Sequence, residues 1–135
     1  MRYAWMAVAA GLALAGAAPA PALAHHSPAA FDRSKEVTLT GTVKVFRWQN
    51  PHTFIDLEVP DEQGNLVLWG VELTSPTYLI RSGWKSNTIT PGDKVTVKVN
   101  PVRTGEPAGI FISLTLPDGQ VLTERPARLG AGNTD

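Results

Sequence analysis

The sequence predicts a small all-β protein, a five-stranded barrel with one short helix, and three observations support this prediction. Four segments of the 135-residue chain alternate apolar and polar residues with a period of two, as half-buried strands do, and a fifth is apolar on both faces. Clusters of Gly, Pro, Asn and Asp separate these segments and are typical of turns. Only residues 75–83 carry helix start and stop signals.

The first strand is predicted over residues 37–47 because apolar residues there recur at every second position. Its apolar face comprises Val37, Leu39, Gly41, Val43 and Val45. The glycine in the middle of this face indicates a bulge or a tight bend. Residues 48–52 form a loop, since Asn-Pro starts turns. The second strand is predicted over residues 53–59, and its inward side chains are Ile55, Leu57 and Val59.

The third strand is predicted over residues 66–73 and is apolar on both faces except for Glu72. We therefore expect it to be the most buried strand. A short helix follows, because Ser75 is a good N-cap, Pro76 suits the first helical position and Gly83 suits the end.

The remaining strands complete the barrel. The fourth is predicted over residues 94–100 and the fifth over residues 110–116, with residues 120–123 adding a short sixth. The predicted inward side chains are Val95, Val97, Val99, Ile110, Ile112, Leu114 and Leu116. Three strands, a helix and two strands are the order of an oligonucleotide/oligosaccharide-binding (OB) barrel. An open β-sandwich is the alternative fold.

Residues 1–24 have the pattern of a secretory signal peptide. Arg2 supplies the positive start, residues 4–18 are apolar, and Ala22-Leu23-Ala24 forms a small-x-small cleavage site. The apolar run is shorter than the roughly twenty residues that a membrane span needs. We expect cleavage after Ala24, export to a bacterial periplasm, and no membrane span in the mature protein.

The mature chain then begins at His25 and has a simple predicted organisation. Residues 25–36 form an N-terminal arm, residues 37–123 the barrel and residues 124–135 a loose tail. Removal of Arg2 leaves 11 basic and 12 acidic residues, a balance that argues against nucleic acid as a partner. The chain has no cysteine, which excludes disulfides, thiolate metal sites and cysteine nucleophiles.

Several motifs together resemble a known family. They are His-His-Ser followed by Phe31-Asp32, the Trp48–His52 stretch Trp-Gln-Asn-Pro-His, Leu-Trp-Gly-Val-Glu at 68–72, Gly83-Trp84 and Pro-Gly-Asp-Lys-Val at 91–95. The chain resembles a family of small exported bacterial proteins whose domain has no assigned function. The resemblance covers residues 25–122 and implies export and a small barrel, without implying an activity.

The three histidines are the strongest candidates for function. His25 would carry both a free α-amine and an imidazole, which chelate one metal ion together. A third nitrogen from His52 would complete a histidine brace, and amine and imidazole nitrogens suit Cu(II). The α-amine is easily deprotonated, because its ordinary pKa is near 8.

The sequence also allows a second copper geometry, and the brace sets a requirement on the path of the arm. A flat chelate built from the free amine, the backbone amide of residue 26 and the His26 imidazole would not need His52. A brace also requires the arm to fold back, because His25 precedes the first strand and His52 follows it. Eleven residues of strand or of arm each span about 36 Å when extended.

A second hypothesis is a metal-free module that binds a small ligand or a periplasmic protein at the barrel mouth. Trp48, Asn50 and His52 lie in the loop where this fold binds ligands. Glu72, an acid in an apolar strand, needs a partner when buried, and Arg47, Arg81 and His52 are candidates. Trp69 is predicted to pack in the core, and Trp84, which follows the helix, is predicted to plug the end of the barrel.

No catalytic motif is recognisable. The serines lack a nucleophile-elbow context, and there is no glycine-rich phosphate loop and no H-E-x-x-H pattern. We therefore predict no catalytic residues and favour a binding protein over an enzyme.

Overall fold

The structure is a computed structural model that describes residues 28–124. A single 3-10 turn at Pro28–Ala30 opens this part of the chain. The elements that follow are β1 (Val37–Arg47), β2 (Phe54–Pro60), β3 (Leu66–Glu72), α1 (Pro76–Arg81), β4 (Lys94–Pro101), β5 (Ala108–Thr115) and β6 (Val121–Thr123). No helix within residues 28–124 is long and apolar enough to cross a membrane.

The strands form a closed barrel. They are ordered β3-β2-β1-β4-β5-β6 with antiparallel neighbours, and a parallel pairing of β3 with β5 closes the sheet. In this closure, residues Gly70–Glu72 of β3 pair with residues Ala108–Ile110 of β5. Five strands with one short helix between β3 and β4 confirm the predicted OB-like barrel and exclude an open sandwich.

The core consists mainly of aliphatic side chains and includes the buried ring of Trp84. The Trp84 ring is 1% exposed, and its edge-on contact with the Phe111 ring has a centroid distance of 5.6 Å. Trp84 Nε1 donates a hydrogen bond to Thr123 O (2.9 Å), which satisfies the buried indole. The remaining fully buried side chains are Val43, Thr53, Ile55, Leu57, Val71, Leu79, Ile89, Val97, Val99 and Leu114.

Two register shifts correct the predicted inward faces. The β1–β2 register shifts between Val43 and Val45, so that Val45 is 37% exposed and Phe46 packs against the core instead. The β4–β5 register shifts between Lys98 and Val99 of β4. A bulge adds one residue to a strand and turns every later side chain to the other face.

The shift in the β4–β5 register therefore changes which side chains of β5 point inward. Phe111, predicted to face outward, is 5% exposed in the core, whereas Ile110 and Ile112 are only half-buried. The prediction for Ile110 and Ile112 was wrong because strict alternation cannot reveal a bulge.

The prediction that the third strand is the most buried was also wrong. Leu66 is 65% exposed and Leu68 is 47% exposed, whereas Val71 and Glu72 at the other end of β3 are buried. The outer face of β3 is open to solvent, so apolar residues on both faces of a strand do not require burial of both faces.

Gly41 allows β1 and β2 to approach closely. A Cβ atom built on Gly41 would lie 2.3 Å from the carbonyl oxygen of Glu58, a distance that no side chain tolerates. Gly70 on β3 offers a contrast, because a Cβ there would meet nothing within 4 Å.

We predict that Gly41→Ala lowers the free energy of unfolding by ~2–4 kcal/mol, because β1 and β2 must separate to accept the methyl group. Gly70→Ala is the matched control and should change stability by less than about 1 kcal/mol. Urea unfolding of both variants tests this. Equal effects of the two substitutions would contradict the steric explanation.

Candidate functional site

The centre of the site is a pair formed by His52 and Glu72. His52 Nδ1 lies in contact with Glu72 Oε1, an ion pair whenever the imidazole is protonated. The Glu72 side chain is 9% exposed, whereas the His52 side chain is 42% exposed. Of the three partners expected for Glu72, the structure brings His52 to it.

Backbone hydrogen bonds hold the two residues side by side. Phe54 is opposite Glu72 in the β2–β3 register. The pairing continues beyond the strands, since Leu73 N donates to Thr53 O (2.9 Å) and Thr53 N donates to Thr74 O (3.1 Å). His52 therefore leaves the loop at a fixed position beside the end of β3.

A cavity of about 250 Å³ opens beside this pair. Its lining combines the imidazole and two carboxylates with apolar side chains from the arm and from β5. The lining residues are Pro28, Phe31, His52, Glu72, Leu73, Thr74, Ile110 and Glu124. A concave site with a few polar groups among apolar ones is typical of ligand binding.

The described part of the arm runs beside the segment after β4 and places Pro28 at this cavity. Phe31 forms an antiparallel bridge with Val102, Asp32 N donates to Pro101 O (2.8 Å), and Arg103 N donates to Ala30 O (2.8 Å). Pro28 and His52 consequently line the same cavity, although one precedes β1 and the other follows it. The described part of the arm runs in the same direction as β1, because Phe31 and Val37 both pair antiparallel with the segment Val99–Val102. Barrel closure, rather than a reversal of the arm, brings Pro28 and His52 to one cavity, since Glu72 and Asn100 both lie opposite Ile110.

The Asp32 carboxylate, which is 12% exposed, holds a turn of the arm through Ser34 and lies 3.6 Å from Arg103 in the loop after β4. The hydrogen bond from Ser34 Oγ (2.6 Å) is the main cause that lowers the pKa of Asp32 below its ordinary value. Burial of the carboxylate acts in the opposite direction and raises this pKa. The Ser34 backbone N–H and the charges of Arg103 (3.6 Å) and Lys35 (3.5 Å) lower this pKa further.

The other predicted ligand-binding residues lie outside the cavity lining. Trp48 is half-buried, and its ring contacts the Phe46 ring edge-on at a centroid distance of 5.6 Å. Asn50 is exposed and precedes a cis peptide bond to Pro51. Arg47 pairs with Asp56 rather than with Glu72.

His25 and His26 lie outside the described residues, as do the signal peptide (1–24) and residues 125–135 of the predicted tail. Within residues 28–124, no three His, Asp or Glu side chains are grouped to hold a metal ion. A metal site at His52 would therefore need donors from the segment before Pro28.

Sequence reasoning missed Glu124, which it assigned to the loose tail. Glu124 Oε1 accepts a hydrogen bond from Thr74 N (2.6 Å), and its carbonyl oxygen accepts one from Ser82 Oγ (2.6 Å). These bonds tie the end of the barrel sheet to the segment around α1 and place a second carboxylate at the cavity. No local pattern signals this, since the partners are 50 and 42 residues away.

The comparisons with known proteins address the family and the fold. A model described as a family of unknown function, DUF6152, matches residues 13–111, most of the chain. The chain belongs to this family. Its match confirms the expected membership in a family without an assigned function.

Other comparisons add little to the DUF6152 assignment. No curated protein matches the sequence. A crystal structure of Rim1, a mitochondrial single-stranded DNA-binding protein from S. cerevisiae, is similar at a TM-score of 0.47 and 10% identity. The alignment covers 62% of this chain and 93% of that chain.

We predict that acid loosens the turn of the arm that the Asp32 carboxylate forms with Ser34 and Arg103. Because the folded-state pKa of Asp32 is lowered, its stabilisation is complete above the ordinary carboxyl value of ~3.9 and is lost as the pH falls through the lowered pKa. The backbone amide signals of Ser34 and Arg103 in ¹H–¹⁵N NMR should shift in this range.

Asp32→Asn should shift the same two amide signals already at neutral pH. Asp118→Asn, in the turn before β6, is the control and should leave them unchanged. Amide signals of Ser34 and Arg103 that stay constant until the whole barrel unfolds would contradict the role of Asp32 in this turn.

Proposed function

We propose that the protein is exported and binds a copper ion through the processed N-terminus at His25 and the imidazole of His52. The observation that carries this proposal is the cavity that His52 and Glu72 share with Pro28. Its task would be to carry or sequester copper, or to deliver it to a periplasmic partner protein.

The orientation of His52 supports a role as a metal ligand. Histidines that bind metals commonly point their second ring nitrogen at a carboxylate, which fixes the ring and raises the basicity of the ligand nitrogen. In this protein Nδ1 contacts the buried Glu72, so Nε2 is the nitrogen that would bind copper. Glu72 would act by orienting the ring, without binding the ion itself.

The length of the arm supports the participation of His25. Three residues of extended chain reach about 11 Å, and His25 lies three positions before Pro28. Pro28 already lines the cavity, so the amine and imidazole of His25 can reach His52 without rearrangement of the barrel. Bound copper would supply redox and Lewis-acid chemistry at this cavity.

The same cavity also supports the metal-free alternative. Phe31, Leu73 and Ile110 give it apolar walls, and Thr74 supplies a polar group, so it could bind a small amphipathic ligand. Such a ligand would contact His52 but not Trp48 or Asn50, which the cavity lining does not include.

We predict tight Cu(II) binding by the processed protein, measured by competition with a chelator. Acetylation of the His25 α-amine should weaken binding by about 100-fold or more, since it blocks one of the nitrogen ligands; that is ~2.7 kcal/mol. His52→Ala should weaken binding strongly, and Glu72→Gln by roughly 10- to 100-fold through loss of the oriented ring. Glu58→Gln, an acid on the outer face of β2, is the matched control.

His26→Ala separates the two copper geometries. A brace retains its affinity in this variant, whereas a flat N-terminal chelate loses affinity with His26→Ala and tolerates His52→Ala. Equal copper affinity of the processed protein with a free and with an acetylated α-amine would overturn the proposal. A native mature protein whose mass excludes a start at His25 would also overturn it.

A further inference from the structure

The exposed half of β3 is an apolar surface that the proposed copper site does not use. Leu66 is 65% exposed and Leu68 is 47% exposed, and both side chains lie on the outer face of the barrel. Gly70 continues this face without a side chain, and the space above it is open.

The backbone of the same segment is an open sheet edge. β5 pairs with β3 only along Gly70–Glu72, and Gly70 N donates to Pro107 O (3.0 Å) on that side. Because backbone groups alternate along a strand, the N–H and C=O groups of Leu68 and Leu66 point to the same side as those of Gly70. Within residues 28–124, no strand pairs with them there.

Features that normally protect such an edge are missing from β3. Edge strands usually carry a lysine, a proline or a bulge, or are covered by another element. Residues 66–71 read Leu-Val-Leu-Trp-Gly-Val, without charge or proline, and the β2–β3 register runs without a shift. An uncovered apolar edge of this kind is a template for another strand.

We propose that this edge pairs with the same edge of a second copy of the chain. An antiparallel register centred on Val67 places Leu66 of each copy opposite Leu68 of the other. In this register both residues direct their N–H and C=O groups at the partner, so that four backbone hydrogen bonds form across the two-fold axis. The β1–β2–β3 sheets of two barrels would then be continuous.

The charge distribution favours a second copy as the occupant. Self-pairing places each residue type against itself, and like charges directly opposite each other would oppose it. Residues 66–71 carry no charge, and the two acids opposite them on β2 already pair within one barrel, Glu58 with Lys44 (2.9 Å) and Asp56 with Arg47. The four exposed leucines of two copies would form one apolar patch.

The short edge implies a weak dimer, because standard stable interfaces bury far more surface than two strands of this length. Sedimentation velocity of the metal-free processed protein, with a chelator present, should therefore cover ~10 µM to ~1 mM. We expect the sedimentation coefficient to rise with concentration. In NMR spectra over the same range, the backbone amide signals of Leu66 and Leu68 should shift.

The double variant Leu66→Lys/Leu68→Lys should remain monomeric throughout this range. Ile80→Lys is the matched control, since Ile80 is an equally exposed apolar residue (60%) on α1, and it should dimerise like the wild type. A wild-type monomer at ~1 mM would overturn the proposal. Equal loss of the dimer in the control, or amide shifts that map to another surface, would also overturn it. The NMR readout needs no variant, and none of these results depends on copper.

Discussion

The parallel pairing of β3 with β5 is the contact on which the rest of the structure depends. It closes the sheet and sets Glu72 opposite Ile110, two residues that line the same cavity. The antiparallel pairing of β2 with β3 then brings His52 beside Glu72. Without closure, the buried carboxylate would face solvent, and its contact with the imidazole would lose the low-dielectric environment that strengthens it.

The arm adds the second requirement of the site, because it runs beside the segment after β4 and places Pro28 at the cavity that His52 lines. Its bridge at Phe31 and the anchored carboxylate of Asp32 fix its path along the loop after β4. Glu124 approaches the same cavity from the other end of the barrel. Segments from both ends of the described chain therefore line one cavity with His52, and the polar groups of the site are concentrated there.

The sequence was sufficient for the strands, the helix and the OB-like order because these depend on local patterns. Val95, Val97 and Val99 alternate as predicted, and Ser75, Pro76 and Gly83 delimit the helix. Two features depended on distant pairing and could not be read from local patterns. The bulges near Lys44 and Ile112 arise from register between strands, and the approach of Glu124 to Thr74 from barrel closure. The convergence of Pro28 and His52 required the path of the arm, which periodicity cannot supply.

A crystal structure of the processed protein loaded with Cu(II) tests the central claim most directly. The account predicts an anomalous peak for copper bonded to His52 Nε2 and to the amine and imidazole of His25, with Glu72 still in contact with His52 Nδ1. Copper held by residues 25 and 26 alone, with the His52 ring turned away from it, would contradict the account.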